Sequence, residues 1–339
     1  MSLVRAERRR LVKRRFTRSM LAIGIAILIT IVVSEYFGNQ KIDPETRAAA
    51  QVTADQRYQQ SQQAMEQYKA QCEAAHSAGK TDDGGNRFPT NCDDIVGPPK
   101  DQFVAENFLP STFTFRTSFT PTVTVFAALL ALVMFLIGAS FVGAEWTSGG
   151  MMNLLLWQPR RLKVYFTKLG TLLGGVLATG VVLSALWTAA FWVIAMLRGT
   201  TAKVTPGVWQ SIALTEARGM ALVLLATAVG FALASIGRHT AIALGVTAGV
   251  LVVFQIGVAF VLNAFRVHYL ERWIFTTYIQ AWMSKKTVLE DYTSCDFQQG
   301  QCQPKTMTIT WQHSGLVFAA VLVILVAVGA WQMRRRDVT

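Results

Sequence analysis

The chain has 339 residues, of which 52% are hydrophobic and 15% charged, with a formal net charge of +12 and mean hydropathy +0.35. Soluble domains carry about 25% charged residues, so this composition excludes an ordinary soluble globular protein. The basic surplus would fit nucleic acid only if it gathered on one face, and its distribution along the chain says otherwise.

Residues 1–19 mix Leu3, Val4, Leu11, Val12 and Phe16 with eight Lys and Arg residues. Such a segment reads either as a helix lying in the membrane interface, its arginines among anionic headgroups, or as a basic tail that only enforces topology. Six apolar runs follow that are long enough to cross a bilayer, which takes about 20 residues: 20–37, 119–142, 169–197, 219–236, 240–262 and 315–333. The first has the basic start of a signal peptide, but Ser34, Glu35, Tyr36 and Phe37 stand where a small-x-small cleavage site belongs, so an uncleaved anchor is expected.

Between the first two spans, residues 38–118 form a connection far longer than usual. Its stretch from 44 to 78 is rich in Ala, Gln and Glu, with Pro44 at a first helical position, and predicts one or two polar helices. Residues 79–99 turn to Gly, Asp, Asn and Pro and read as loop. Residues 143–168 form a shorter connection, and 169–262 hold the third to fifth spans. The segment 263–314 opens with Trp273, Ile274, Phe275, Tyr278, Ile279, Trp282 and Met283, the aromatic crowding of a membrane interface. An interfacial or re-entrant helix over 267–283 is expected there, because Arg266, Glu271 and Arg272 make full burial costly. The sixth span and a basic tail occupy 315–339.

Sidedness follows from Lys and Arg near the span ends, since cytoplasmic loops retain positive charge. With residues 1–19, 143–168, Arg238 and the tail inside, that face holds sixteen basic residues and three acidic ones, Glu7, Glu145 and Asp337. The outer face holds sixteen basic and seventeen acidic residues. The net charge therefore records how the chain is threaded and selects no nucleic-acid partner. Both termini come out cytoplasmic. Cys72, Cys92, Cys295 and Cys302 all fall in outer segments, where disulfides persist. Four cysteines allow three pairings, of which neighbour pairing is the simplest. A zinc site is disfavoured by the lack of any C-x-x-C pair, and no metal ligand set is assigned.

The inner connection carries the most specific local sequence, residues 143–161: GAEWTSGGMMNLLLWQPRR. Thr147 and Ser148 are placed to cap a helix start, the apolar run 151–157 supplies the helix, and Pro159 ends it. The result is a short helix that either lies in the headgroups or docks a cytoplasmic partner. Six spans, a basic amphipathic lead-in, and an inner loop with Glu, a Gly/Ser/Thr cluster, paired leucines and a proline before basic residues resemble the type-2 permeases of ABC transporters, chiefly bacterial exporters. The matching positions are Glu145, Ser148, Gly149, Gly150, Leu154, Leu155, Pro159 and Arg161, with Arg160 beside them. Here Met151 follows the loop glycines where the family often has Thr. The resemblance implies an all-helical, multi-pass protein of the plasma membrane, whose inner loop is a coupling helix seated in a cytoplasmic ATPase subunit. It implies a second permease chain, identical or related, and a path for an amphipathic or hydrophobic cargo such as a drug, lipid or peptide.

No G-x-x-x-x-G-K-[ST] phosphate loop occurs, so ATP and Mg belong on the partner and no cofactor is expected on this chain. A membrane-embedded enzyme is the rival class. His76, His239, His268 and His313 are isolated from one another, and no H-E-x-x-H or G-x-S-x-G string is present, so no catalytic residue is assigned. A non-transporting scaffold or sensor is the third reading. Polar residues within spans are the candidates for a translocation path: Thr179, Ser184, Gln255 and Asn263. Glu216 and Arg218 stand at the outer mouth of the fourth span, where they could pair. The spacings Gly170-x-x-x-Gly174 and Gly245-x-x-x-Gly249 permit close helix packing.

Overall fold

The computed structural model describes residues 3–79, 82–83, 86–89, 91–158, 160–265, 267–291 and 304–335. Helices come in chain order as α1 (Leu3–Lys13), α2 (Arg15–Gly38), α3 (Pro44–Ser77), α4 (Phe115–Thr147), α5 (Gly150–Trp157), α6 (Arg161–Arg198), α7 (Pro206–Gly237), α8 (Thr240–Val252), α9 (Val258–Ala264), α10 (Phe275–Ser284) and α11 (Trp311–Arg335). A π-helical turn, Val253–Gly257, joins α8 to α9. Strands are confined to connections: β1 (Asp82–Asp83) with β2 (Asn86–Arg87), β3 (Phe113–Thr114) parallel to β4 (Gly199–Thr200), and β5 (Lys286–Asp291) antiparallel to β6 (Lys305–Thr310).

The architecture is all-helical, and six helices are long and apolar enough to span a membrane: α2, α4, α6, α7, the run Thr240–Ala264, and α11. Each encloses one of the six apolar runs. Most are longer than the run, because hydropathy marks only the hydrocarbon-facing part while the helical backbone continues through flanking polar residues. At the start of α7 the continuation is explicit: Pro206 occupies the first turn, where its missing N–H costs nothing.

Two compact units emerge from the contacts. In the first (Met1–Val33, Arg116–Trp192, Ala202–Thr339), α4 and α7 form the centre, with 61% and 50% of their most apolar windows buried. Gly138 and Gly230 let these two helices touch: an added Cβ would lie 2.5 Å from the Thr227 carbonyl oxygen and 2.5 Å from the Phe135 carbonyl oxygen, respectively. Phe119, Phe126, Trp187 and Phe191 stack between α4 and α6. Tyr165 of α6 meets the Phe231 ring of α7 and donates to the Val326 carbonyl of α11 at 3.4 Å. The Gly170/Gly174 and Gly245/Gly249 spacings, which permit close packing, meet no neighbour among the described residues: nothing there lies within 4 Å of an added Cβ at any of the four.

The segment after the fifth span departs from expectation. Its helix runs over Phe275–Ser284 rather than from 267, because a 3-10 turn, Leu270–Trp273, intervenes with Tyr269 in the left-handed region at φ 52°. The hairpin β5–β6, unforeseen in the sequence, packs Leu289 and Ile309 on Ala281 of α10. Trp282 Nε1 donates to the Arg218 carbonyl at 2.9 Å, which ties α10 to α7.

The second unit (Ser34–Phe115, Val193–Thr201) is built on the single long helix α3. Asp43 caps it by accepting from the Thr46 amide at 2.8 Å, and Pro44 follows. A disulfide joins Cys72 to Cys92, with Phe88, Tyr68 and Ile95 packed around it. His76, one turn beyond Cys72, has a buried Nε2, and one of its ring nitrogens lies within 4.8 Å of both sulfurs. Those sulfurs are bonded to each other, so they are not the thiolates a metal would need. Lys69 and Asp93 pair at 2.6 Å. Cys295 and Cys302 lie outside the described residues.

Candidate functional site

The connection between α4 and α6 is the best-defined site. α4 runs on through Thr147, and the two hydroxyls expected to start the next helix instead end this one. Thr147 Oγ1 donates to the Ala144 carbonyl at 3.2 Å and Ser148 Oγ to the Glu145 carbonyl at 3.4 Å. Gly149 then turns the chain at φ +73°, a conformation natural to glycine, and α5 starts at Gly150 without a side-chain cap. Pro159 lies outside the described residues.

The eight residues of α5 divide sharply by exposure. Met151 and Leu155 are buried at 1% and 7%, whereas Met152, Leu156 and Trp157 are exposed at 38%, 78% and 86%. Leu154 is half-buried, so of the paired leucines Leu155 is a seating residue, and the outward face is Met152, Asn153, Leu156, Trp157 and Gln158. Period-3.6 reading of 151–157 contains this division, but it does not say which side meets the bundle. Arg160 is exposed and Arg161 half-buried.

Beside α5 lies a cleft lined by Trp146, Leu155, Arg161, Ser235, Arg238, Gln332 and Met333. The α4–α6 connection, the α7–α8 turn and the end of α11 thus share one end of the bundle. Arg238, left-handed at φ 54°, lays its guanidinium 4.7 Å from the centre of the Trp146 ring. His239 accepts from the Ala241 amide at 3.1 Å, capping α8, which is the role of a turn residue.

Glu145, expected on the docking face, is turned inward instead. Its carboxylate accepts from Lys168 Nζ at 2.6 Å, and the same ammonium donates to Glu7 at 2.7 Å. Both Glu7 and Lys168 are fully buried. Arg14, at the α1–α2 junction, donates to the Ser140 carbonyl at 3.0 Å. Burial lowers its guanidinium from the ordinary arginine value, while the Glu145 charge opposes the shift.

The four translocation-path candidates do not come together. Thr179 Oγ1 donates back along its own helix to the Gly175 carbonyl at 2.9 Å, Ser184 is buried and Asn263 is exposed. Gln255, in the π-helical turn, accepts from the Phe275 amide at 3.0 Å and donates to Thr276 Oγ1 at 3.0 Å. It caps α10, which has no cap from its own flanking residue. Among the described residues no hydrogen bond joins any two of the four. Glu216 and Arg218 do not pair either: Glu216 accepts from Thr188 Oγ1, and Arg218 lies over the Trp311 ring at 5.4 Å. Two residues apart, they lie about 200° from each other around α7 and so meet different helices, α6 and α11.

No curated protein and no solved structure matches this chain. One family model does, that of the ABC-2 family transporter proteins, over residues 1–338. With six helices of spanning length, an exposed apolar helix at one end of the bundle, and a match over nearly every residue, the chain belongs to the ABC-2 transporter family as a multi-pass membrane subunit without an ATP-binding motif of its own.

Proposed function

We propose that this chain is the permease of an ATP-driven exporter for amphipathic or hydrophobic cargo, a drug, lipid or peptide, and that α5 is its coupling helix. One observation carries the assignment: an eight-residue helix presents Leu156 and Trp157 almost fully exposed, next to Arg160, at the bundle end that gathers the basic connections. Exposed large apolar side chains beside a basic rim are the composition of a protein-docking patch. Membership in the ABC-2 family implies an ABC ATPase subunit as the occupant.

In this reading α1, α5 and the C-terminal end of α11 face the cytoplasm, which agrees with the eight basic residues before the first span. The α3 unit, with its Cys72–Cys92 disulfide, and the β5–β6 hairpin lie outside, and the membrane is a bacterial plasma membrane. The run Thr240–Ala264 has none of its apolar window buried, so a second permease chain, identical or related, is proposed to cover part of it, with lipid on the rest. ATP and Mg reside on the partner ATPase. Their binding and hydrolysis there displace α5, and the displacement rearranges the interface between the two permeases to pass cargo. Apolar spans with few fixed charges favour a lipophilic cargo over an ion or sugar.

The test is reconstitution of the chain with its co-purifying ATPase in vesicles. ATP-dependent efflux of a fluorescent amphiphile is expected. The reading fails if no ATPase subunit co-purifies, if ATP drives no transport as for a scaffold, or if only hydrophilic sugars or ions stimulate hydrolysis.

A further inference from the structure

Lysine is almost never fully buried unless it is paired, and Lys168 is fully buried. Its ammonium has three N–H donors, and each has a destination: Glu7 Oε2 at 2.7 Å, Glu145 Oε2 at 2.6 Å, and the face of the Phe141 ring, whose centre is 5.2 Å away. The remaining charges also face the cluster. Arg10 Nη1 reaches Glu7 Oε1 at 3.4 Å, and the Arg14 charge acts on Glu145. Two carboxylates converge on one cation from segments far apart in sequence.

Their positions along the chain give this cluster its meaning. Glu145 sits just before α5, Lys168 just after it, and Glu7 on α1. One ammonium therefore clasps both flanks of the proposed coupling helix and fastens them to the lead-in helix. Leu11, the other buried residue of α1, sits against Gly175 of α6, where an added Cβ would lie 2.9 Å from it.

We infer that Lys168 is a positioning residue for coupling: with Glu7 and Glu145 it locks α1 to α4 and α6, the two helices that carry α5 between them, so that a displacement of α5 and its flanks is passed to the lead-in helix. Glu145 serves the ATPase through Lys168 rather than by contact. This inference rests on the reading of α5 as the coupling helix.

The experiment compares three forms, each reconstituted with the partner ATPase. The neutral set Glu7→Gln/Glu145→Gln/Lys168→Met removes every charge of the triad together; Arg10, which is exposed, and Arg14, which is half-buried, keep theirs. The exchange Glu7→Lys/Lys168→Glu keeps one cation between two carboxylates, and Lys168→Arg is the conservative change. The neutral set is expected to insert and bind the ATPase as the native chain does, but to lose about tenfold in the ratio of cargo-stimulated to basal ATPase rate. The exchange and Lys168→Arg are expected to restore most of that ratio. Spin labels at the exposed Arg9 and Gln158 of the permease alone should give one narrow distance in the native chain and a broad one in the neutral set.

A neutral set with native coupling and an unchanged distance distribution overturns the inference. So does an exchange variant that folds and binds yet stays uncoupled. If the neutral set fails to insert, the exchange variant decides alone. Failure of the functional reading looks different: the native chain itself then shows no cargo-stimulated hydrolysis, while the label distances still report whether the triad fixes α1 relative to the α4–α6 connection.

Discussion

Replacing Trp157 and Leu156 by alanine separates docking from folding. Both side chains stand almost entirely in solvent, at 86% and 78% exposure. Their removal should change the stability of the permease by no more than about 0.5 kcal/mol, the usual range for surface sites. Docking is another matter, because a tryptophan covers about 200 Å² when it enters an interface. At about 25 cal/mol per Å² that area sets a ceiling of about 5 kcal/mol. Part of this is offset by ordering the side chain, and truncation of buried interface aromatics typically costs about 2–4 kcal/mol. Trp157→Ala should therefore weaken ATPase binding by roughly 30- to 1000-fold, and adding Leu156→Ala should weaken it further. The assay is titration of purified ATPase onto the permease in nanodiscs, with thermal unfolding of each permease measured alone. A double variant that binds with native affinity refutes the docking assignment, as does one whose melting temperature falls in step with its affinity.

Several other perturbations have definite outcomes. Gly138→Val and Gly230→Val each drive a side chain into backbone, 2.5 Å from a carbonyl oxygen of the facing helix, and should cost about 1–3 kcal/mol in detergent unfolding, whereas Gly170→Ala and Gly245→Ala, which meet nothing within 4 Å, should not. Cys72→Ser with Cys92→Ser opens a loop of sequence separation 20 and should destabilise the α3 unit by about 3 kcal/mol, read as faster proteolysis within 44–115. The Thr46 amide and side chain hold the Asp43 carboxyl below the ordinary aspartate value, so its capping contribution is complete above that ordinary value and is lost as pH falls through the lowered one. Exchange of the Thr46 amide, corrected for its intrinsic pH dependence, should accelerate across that interval in the native chain and show no such step in Asp43→Asn, whose side-chain oxygen caps at every pH.

The spans were legible because a bilayer imposes a length and a polarity that a linear pattern displays directly. All six apolar runs became helices, and Pro44 opened a helix because a first-turn proline gives up no hydrogen bond. Patterns whose outcome depends on a distant partner were not legible. Two Gly-x-x-x-Gly strings permit close packing but meet no neighbour among the described residues, whereas Gly138 and Gly230, which belong to neither string, let the central helices touch. The strands of the β5–β6 hairpin are stabilised by cross-strand pairing and by the face of α10. Neither stabilising contact is visible in a segment read alone.

The same distinction explains the charged residues. Counting charges by connection needs only their positions, and on that count Glu7 and Glu145 were two acidic residues among sixteen basic ones on the inner side. Energetically they belong together with Lys168. Removing one member of such a buried group leaves the others without a counter-charge at a cost of about 3–5 kcal/mol, whereas neutralising all of them together costs little. The stability of this end of the molecule is thus nearly indifferent to whether the triad is charged or wholly apolar, and folding alone gives no reason to place three ionised groups there. What the charged form adds is direction. An ammonium with three fixed destinations accepts one arrangement of α1, α4 and α6, whereas three apolar side chains of the same volume would tolerate several. A helix that must hand a partner's movement onward needs that single arrangement, and the Lys168 variants above separate this geometric role from a purely stabilising one.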